Sequence, residues 1–200
     1  MAKLYFRYGT VGSAKTLNLL AVAHNYRNQG KNILLIKPEL DIRFGKNKIK
    51  SRAGLEKTAD ILVRIDTKLD REKFKNISCI LVDEAQFLSE YLIEQLRDIT
   101  STMDIPVICY GLRTDFKSRL FEGTKRLLEL ADSIEEVKCT CNFCNKKSVM
   151  NLKHVNGFAT CEGPSVQLGC EELYFPVCYN CYKGQIDEAK KVKQKVAIKT

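Results

Sequence analysis

No run of apolar residues in this sequence approaches the ~20 that a bilayer-crossing helix needs. Residues 19–23 and 33–36 are among the longest such runs, and a membrane protein is not expected. The first residues also lack the apolar core and small-residue cleavage site of a secretory signal, since Lys3 and Arg7 interrupt them. The expected compartment is therefore the cytoplasm. Internal repeats are missing too, as is the bias of disordered, collagen-like or coiled-coil chains. Apolar residues make up 44% and charged residues 28% of the chain, close to the globular average. Its 200 residues fit one ordinary domain, or one domain with a small appendage. Thirty-three basic residues face 24 acidic ones, for a net charge of +9. That balance admits nucleotides, nucleic acid or another anionic surface as partners without choosing among them.

What is present first suggests alternating strands and helices. Residues 3–8 read as a strand ended by Gly9, and residues 16–29 as an amphipathic helix whose apolar side carries Leu17, Leu20, Ala21 and His24. Residues 32–37 hold the continuous apolar run I-L-L-I before Pro38, as expected for a strand buried on both faces of a parallel sheet. Residues 39–76 are charged and irregular, with turns at Phe44-Gly45 and Ala53-Gly54, and read as a mobile or ligand-covering excursion. Buried-strand runs return at 79–82 and 106–110, helices are expected over 89–100 and 123–131, and a last strand over 133–137. The pattern predicts a mainly parallel, doubly wound α/β sheet over residues 1–138. From Cys139 the composition turns to cysteine, asparagine and glycine, so a small metal-binding domain is placed at 139–182. Residues 183–200 carry six lysines and read as a basic tail, helical at best in part.

Between the first strand and helix lies Gly9-Thr10-Val11-Gly12-Ser13-Ala14-Lys15-Thr16, where a P-loop belongs. Successive backbone N–H groups and the helix N-terminus cradle phosphate, the lysine reaches the outer phosphates, and the Ser/Thr hydroxyl ligates Mg²⁺. Lys15 and Thr16 fit those roles. The standard pattern has glycine where this chain has Ala14, and a β-carbon there would crowd the phosphate or resist a left-handed backbone. The run 79–82 then delivers Asp83 and Glu84 to the carboxyl end of a buried strand, where ligands bind in open α/β sheets and where an acid holds the metal of P-loop enzymes.

The nine cysteines, without a signal peptide, point to metal ligation and buried free thiols rather than disulfides. Cys141/Cys144 and Cys178/Cys181 form two C-x-x-C pairs, and four thiolates suit a closed tetrahedral Zn²⁺ site. Neither pair is expected at a helix start, which disfavours redox chemistry. Cys139 could stand in for Cys144, and the long gap between the pairs implies a loop pinned at its base. Cys79, Cys109, Cys161 and Cys170 read as structural or incidental.

Together, the phosphate loop, D-E-A-Q-F after one buried strand, Y-G-L-R-T-D-F after the next, and the C-x-x-C-bounded loop resemble the thymidine kinase family of the zinc-containing P-loop type, its bacterial members most of all. The resemblance runs from Leu4 to about Tyr182. It implies transfer of a phosphoryl group from ATP to the 5′-hydroxyl of thymidine, and of deoxyuridine as a second substrate, in nucleotide salvage for DNA synthesis. Glu84 would be the general base, and Asp83 would assist Mg²⁺ with Thr16. Asp41, Ile42 and Arg43 match a D-x-R segment near the nucleotide phosphates, with Ala85 and Gln86 beside the metal acid. The nucleoside pocket would fall on Phe87, Leu112, Phe116 and Phe121. A lasso-like loop would grip the base through Ser165, Val166, Gln167, Leu168 and Gly169, with Tyr174 alongside. A homotetramer, and feedback inhibition by thymidine triphosphate, are further implications. Two other readings compete. One is a nucleic-acid-binding ATPase, disfavoured because the aromatics cluster after strand ends rather than among the lysines. The other is a catalytically dead relative acting as a binding module, motivated by Ala14.

Overall fold

The computed structural model describes residues 1–165 and 173–197 of the chain. Its first strand, β1 (Leu4–Tyr8), leads through the phosphate loop into α1 (Lys15–Asn28), which returns to β2 (Ile33–Pro38). A short antiparallel hairpin of β3 (Lys48–Lys50) and β4 (Glu56–Thr58) follows, then β5 (Ile61–Val63) and β6 (Cys79–Val82). Next come α2 (Glu90–Met103), β7 (Val107–Gly111), α3 (Glu122–Leu130) and β8 (Ser133–Glu136). Six of these strands form one sheet in the order β5-β2-β6-β7-β1-β8, with every neighbouring pair parallel.

The unbroken apolar runs follow from burial on both sides. In β6, Ile80 and Val82 join the core beneath α2, with Leu92, Ile93 and Leu96. Cys79 and Leu81 join the opposite core beneath α1, with Leu19, Leu20 and Ala23. All four β6 residues are fully buried. Each full burial of a Leu, Ile or Val side chain stabilises the fold by roughly 1.5–3 kcal/mol. Gly123 shows how closely α3 approaches the turn after β6, since a β-carbon there would lie 2.6 Å from the carbonyl oxygens of Ala85 and Leu88.

In its secondary structure the chain departs from the sequence expectation in three places. The buried side of α1 is Lys15, Leu19, Leu20 and Ala23, while Leu17 is only half-buried and Ala21 and His24 are exposed. Six apolar residues among the seven at 17–23 give the helix no clear stripe, so the packing angle chooses the face. The span 39–76 also holds more order than expected, with the hairpin, a one-turn 3₁₀ helix at Arg71–Phe74, and β5 extending the sheet beside β2. Those strands have three residues each and β4 is exposed throughout, so they carry no hydrophobic alternation.

The third departure is at the carboxyl end. Beyond β8, an antiparallel sheet of order β10-β9-β11 forms from β9 (Met150–Val155), β10 (Phe158–Thr160) and β11 (Tyr174–Val177). The last helix, α4 (Tyr179–Ala197), covers residues 183–197 of the expected tail. It is helical because Tyr182, Ile186 and Ala189 repeat at helical spacing and bury against Met150, Leu152 and Val177. Among the described residues, no helix is long and apolar enough to cross a membrane.

Candidate active site and cysteine cluster

The carboxyl ends of β1, β6 and β7 bring the phosphate loop, Glu84 and Leu112 around one cleft of about 230 Å³, whose far wall is Lys50 and Arg52 of the β3–β4 hairpin, with Asp83 buried behind Thr16. At its floor the loop is tightly built. A β-carbon on Gly9 would fall 2.3 Å from Ser13 Oγ and 2.6 Å from the Val137 carbonyl. Gly12 has φ 72° and Ala14 has φ 63°. The left-handed backbone at position 14 is therefore real, and alanine takes it at a cost of roughly 1–2 kcal/mol. Ala14→Gly is expected to raise stability by about 0.5–1 kcal/mol, less than the full strain because glycine loses more chain entropy on folding. Urea unfolding measures it; a loss of stability would show that the alanine methyl group makes compensating contacts.

Lys15 is buried, and its Nζ donates to the Thr10 carbonyl at 2.6 Å and to Ser13 Oγ at 3.3 Å. Burial pulls its pKa down to about 8, against the carboxylates of Glu84 and Asp83. Thr16 Oγ1 donates toward both Asp83 carboxylate oxygens at 3.2 Å. Burial, with the Glu84 charge adding to it, pushes the Asp83 carboxyl up to about 7. Glu84 goes the other way. Burial would raise it, but Arg43 and Lys15 hold it below the ordinary carboxylate range. Its backbone sits at φ 51°, a left-handed position that a non-glycine residue keeps only when its surroundings enforce it.

Those surroundings form a chain of charges. Arg43 Nη2 lies 2.7 Å from Glu84 Oε1, and Arg43 Nε lies 2.5 Å from Asp41 Oδ1. Asp41 Oδ2 meets Lys37 Nζ at 3.1 Å, and Lys37 also donates to the Lys48 carbonyl at 2.8 Å. On the other flank, Gln86 Nε2 donates to Glu84 Oε2 at 2.6 Å, while Gln86 Oε1 accepts the Leu112 N–H at 2.9 Å. A β-carbon at Gly111 would collide with that amide at 2.7 Å, so glycine there lets Gln86 bridge the two loops. Ile42 points outward, 60% exposed, and Ala85 is buried in the core.

The four apolar residues expected around a base do not form one stack. Phe87 and Phe121 meet edge to face at 5.6 Å between centroids, Phe116 pairs with Tyr174 at 6.0 Å, and Leu112 lines the cleft. Phe116 is 1% exposed, and its carbonyl accepts the Tyr182 hydroxyl at 2.6 Å. Ser165 is exposed, whereas Val166, Gln167, Leu168 and Gly169 lie outside the described residues.

Cys141, Cys144, Cys178 and Cys181 bring their sulfurs within 4.8 Å of one another. Four sulfurs about 2.3 Å from a zinc ion stand at the corners of a tetrahedron with edges of about 3.8 Å. Sulfur separations here are 3.7 Å for Cys144–Cys178 and 3.8 Å for Cys144–Cys181, so the donor set fits the ion. Cys139 stands apart, its Sγ 3.8 Å from the Gly12 carbonyl. Contrary to the sequence expectation, the second pair does sit at a helix start, with Cys178 just before α4 and Cys181 in its first turn. The convergence of both pairs, rather than their position on the helix, makes the cluster one that could hold a metal ion.

Sequence reasoning missed Lys37, Lys50, Arg52, Ser148 and Asn151. Lys37 had one available signal, a charged residue closing the buried run I-L-L-I-K-P; the others stand in segments without a motif.

A family model described as thymidine kinase matches residues 2–182. The thymidine kinase of Lactiplantibacillus plantarum is 43% identical over 185 residues, covering 91% of this chain and 96% of that protein. Those of Enterococcus faecalis and Streptococcus gordonii are 42% and 41% identical, each over 91% of this chain and 95% and 96% of their own lengths.

Proposed function

Because the chain belongs to the thymidine kinase family, we propose that the cleft transfers the γ-phosphoryl group of ATP to the 5′-hydroxyl of thymidine. The observation that carries this reading is an ionised, buried Glu84 facing the same cleft as the phosphate loop. Backbone N–H groups of residues 12–16 and the start of α1 receive the triphosphate, with Lys15 leaving Thr10 for the outer phosphates. Arg43 offers a second cation at the mouth. Thr16 Oγ1 and the Asp83 carboxylate are the hard oxygen donors that would hold Mg²⁺, which when bound neutralises charge on the phosphates.

Glu84 accepts the hydroxyl proton as the oxygen attacks phosphorus. A carboxylate held below its ordinary pKa is ionised at neutral pH, as a proton acceptor must be. Gln86 keeps it aimed and ties it to Leu112, so base and nucleoside loop are set together. Leu112, Phe87, Phe121 and Tyr174 supply apolar surface for a flat methylated base, with the buried Phe116 behind Tyr174, and deoxyuridine is the second substrate. Family membership also supports a homotetramer, inhibition by thymidine triphosphate and a place in nucleotide salvage.

The test is direct. Purified protein with Mg-ATP and thymidine is expected to form thymidine monophosphate and ADP in equal amounts. Hydrolysis of ATP stimulated by polynucleotide, without nucleoside phosphorylation, would instead support a nucleic-acid-dependent ATPase.

A pH effect follows from Asp83. Its folded pKa, about 7, lies above the ordinary value, so acidification neutralises it well before an exposed aspartate. The Mg²⁺ affinity lost on Asp83→Asn in the presence of ADP, followed by calorimetry, is expected to grow as pH increases through about 7 and to level off above it. A difference that stays flat between pH 6 and 8 would show that Asp83 does not change its charge in that range.

A further inference from the structure

We propose that Asn151 is a positioning residue that couples the phosphate loop to the nucleoside loop, so that filling one subsite is felt at the other; this rests on the assignment of those subsites above. Asn151 stands on β9, in the sheet anchored by the four cysteines, and is 3% exposed. Its Oδ1 accepts the Val11 N–H at 2.9 Å, and its Nδ2 donates to the Thr114 carbonyl at 2.8 Å. One planar amide therefore holds a peptide group of the phosphate loop and a peptide group of the loop after β7. Both atoms are bonded to one carbon, so neither hydrogen bond can move independently of the other.

Its neighbours brace the same two loops. Ser148 Oγ lies 2.9 Å from Thr10 Oγ1 and donates to the Cys139 carbonyl at 3.0 Å. Arg113 Nη2 donates to the Val149 carbonyl at 3.0 Å. The strip 148–151 thus touches the phosphate loop at Thr10 and Val11 and the nucleoside loop at Arg113 and Thr114. Breaking the Asn151 bridge would leave the Val11 N–H and the Thr114 carbonyl without these partners, which a buried site resists. A shift of residues 112–116 around a nucleoside must then drag Val11, and with it the turn that faces the phosphates. By linkage, the effect on affinity is equal in both directions.

The experiment measures the dissociation constant of a non-hydrolysable ATP analogue, with Mg²⁺, in the presence and absence of saturating thymidine. Wild type is expected to bind the analogue about 5-fold or more tightly when thymidine is present, the lower end of usual coupling. Asn151→Leu is expected to bring that ratio close to one. Asn151→Ser, whose hydroxyl reaches at most one of the two partners, serves as the milder second variant and is expected to lose most of the effect. Melting temperature and zinc content are followed alongside. A residue that merely stabilises the fold would lower the melting temperature and leave the ratio intact, which would overturn the proposal. So would a wild-type affinity indifferent to thymidine. If wild type fails to bind the analogue at all, the assignment of the phosphate loop falls instead, and the inference falls with it.

Discussion

Glu84→Gln is expected to lower kcat by about 10²–10⁴-fold, the usual contribution of a positioned general base, while binding of Mg-ATP changes little. The substitution keeps size but only one of the two acceptor oxygens, so with its carbonyl toward Gln86 it turns an amide nitrogen toward Arg43. Arg43 retains Asp41 as a partner, and Gln86 retains a carbonyl to donate to, so the fold should survive. A second signature separates loss of the base from general damage. The Glu84 charge is one cause of the high Asp83 pKa, so removing it is expected to move the pH midpoint of Mg²⁺ binding below about 7. An unaltered kcat would remove Glu84 from the chemistry. A lost kcat with an unmoved midpoint would place its charge farther from Asp83 than the structure does.

The other large effect is expected from removing the zinc that the four cysteines would hold. Elemental analysis should find about one zinc per chain, and Cys141→Ser should lose it. Zinc binding in small finger peptides is worth roughly 10–16 kcal/mol, as much as the whole stability of an ordinary domain, about 5–15 kcal/mol. Even a third of that would lower the melting temperature by about 7–20 °C in a chain of this size. The damage should spread from the metal to the site. Cys141 and Cys178 belong to the small core that holds Met150 and Leu152 on β9, and β9 carries Asn151 to the phosphate loop. The affinity for the ATP analogue should therefore fall together with zinc content. A metal-free preparation that is equally stable and fully active would contradict the site.

The parts of this protein legible in its sequence are those where physics leaves one option. A parallel strand buried on both faces has to be apolar at every position, so I-L-L-I and C-I-L-V could be placed before the sheet was known. A phosphate-binding turn needs glycines, a lysine and a hydroxyl at fixed offsets, and four sulfurs around zinc need their paired spacing. Ala14 was legible too, as a β-carbon in a left-handed position, and the structure gives φ 63° there.

What stayed hidden depends on contacts between distant segments. The sheet edge at β5 is three residues long and gains its strand character only by pairing with β2. Lys37 looks misplaced in an apolar run until Asp41 and the Lys48 carbonyl fold back over it. In α4 the three buried positions are diluted by lysines, and only the sheet beneath shows that they form a face. Asn151 sits in the unremarkable run M-N-L-K, 140 positions from the backbone group it holds. No local pattern can announce a bond of that separation.

A crystal structure with a non-hydrolysable ATP analogue, Mg²⁺ and thymidine tests the central claim most directly. The γ-phosphate should lie beside Lys15 Nζ, and the thymidine 5′-oxygen should sit between that phosphorus and the Glu84 carboxylate, about 2.6–3.2 Å from the latter. A nucleoside bound with its 5′-oxygen away from Glu84, or a triphosphate seated elsewhere than on residues 9–16, would contradict it.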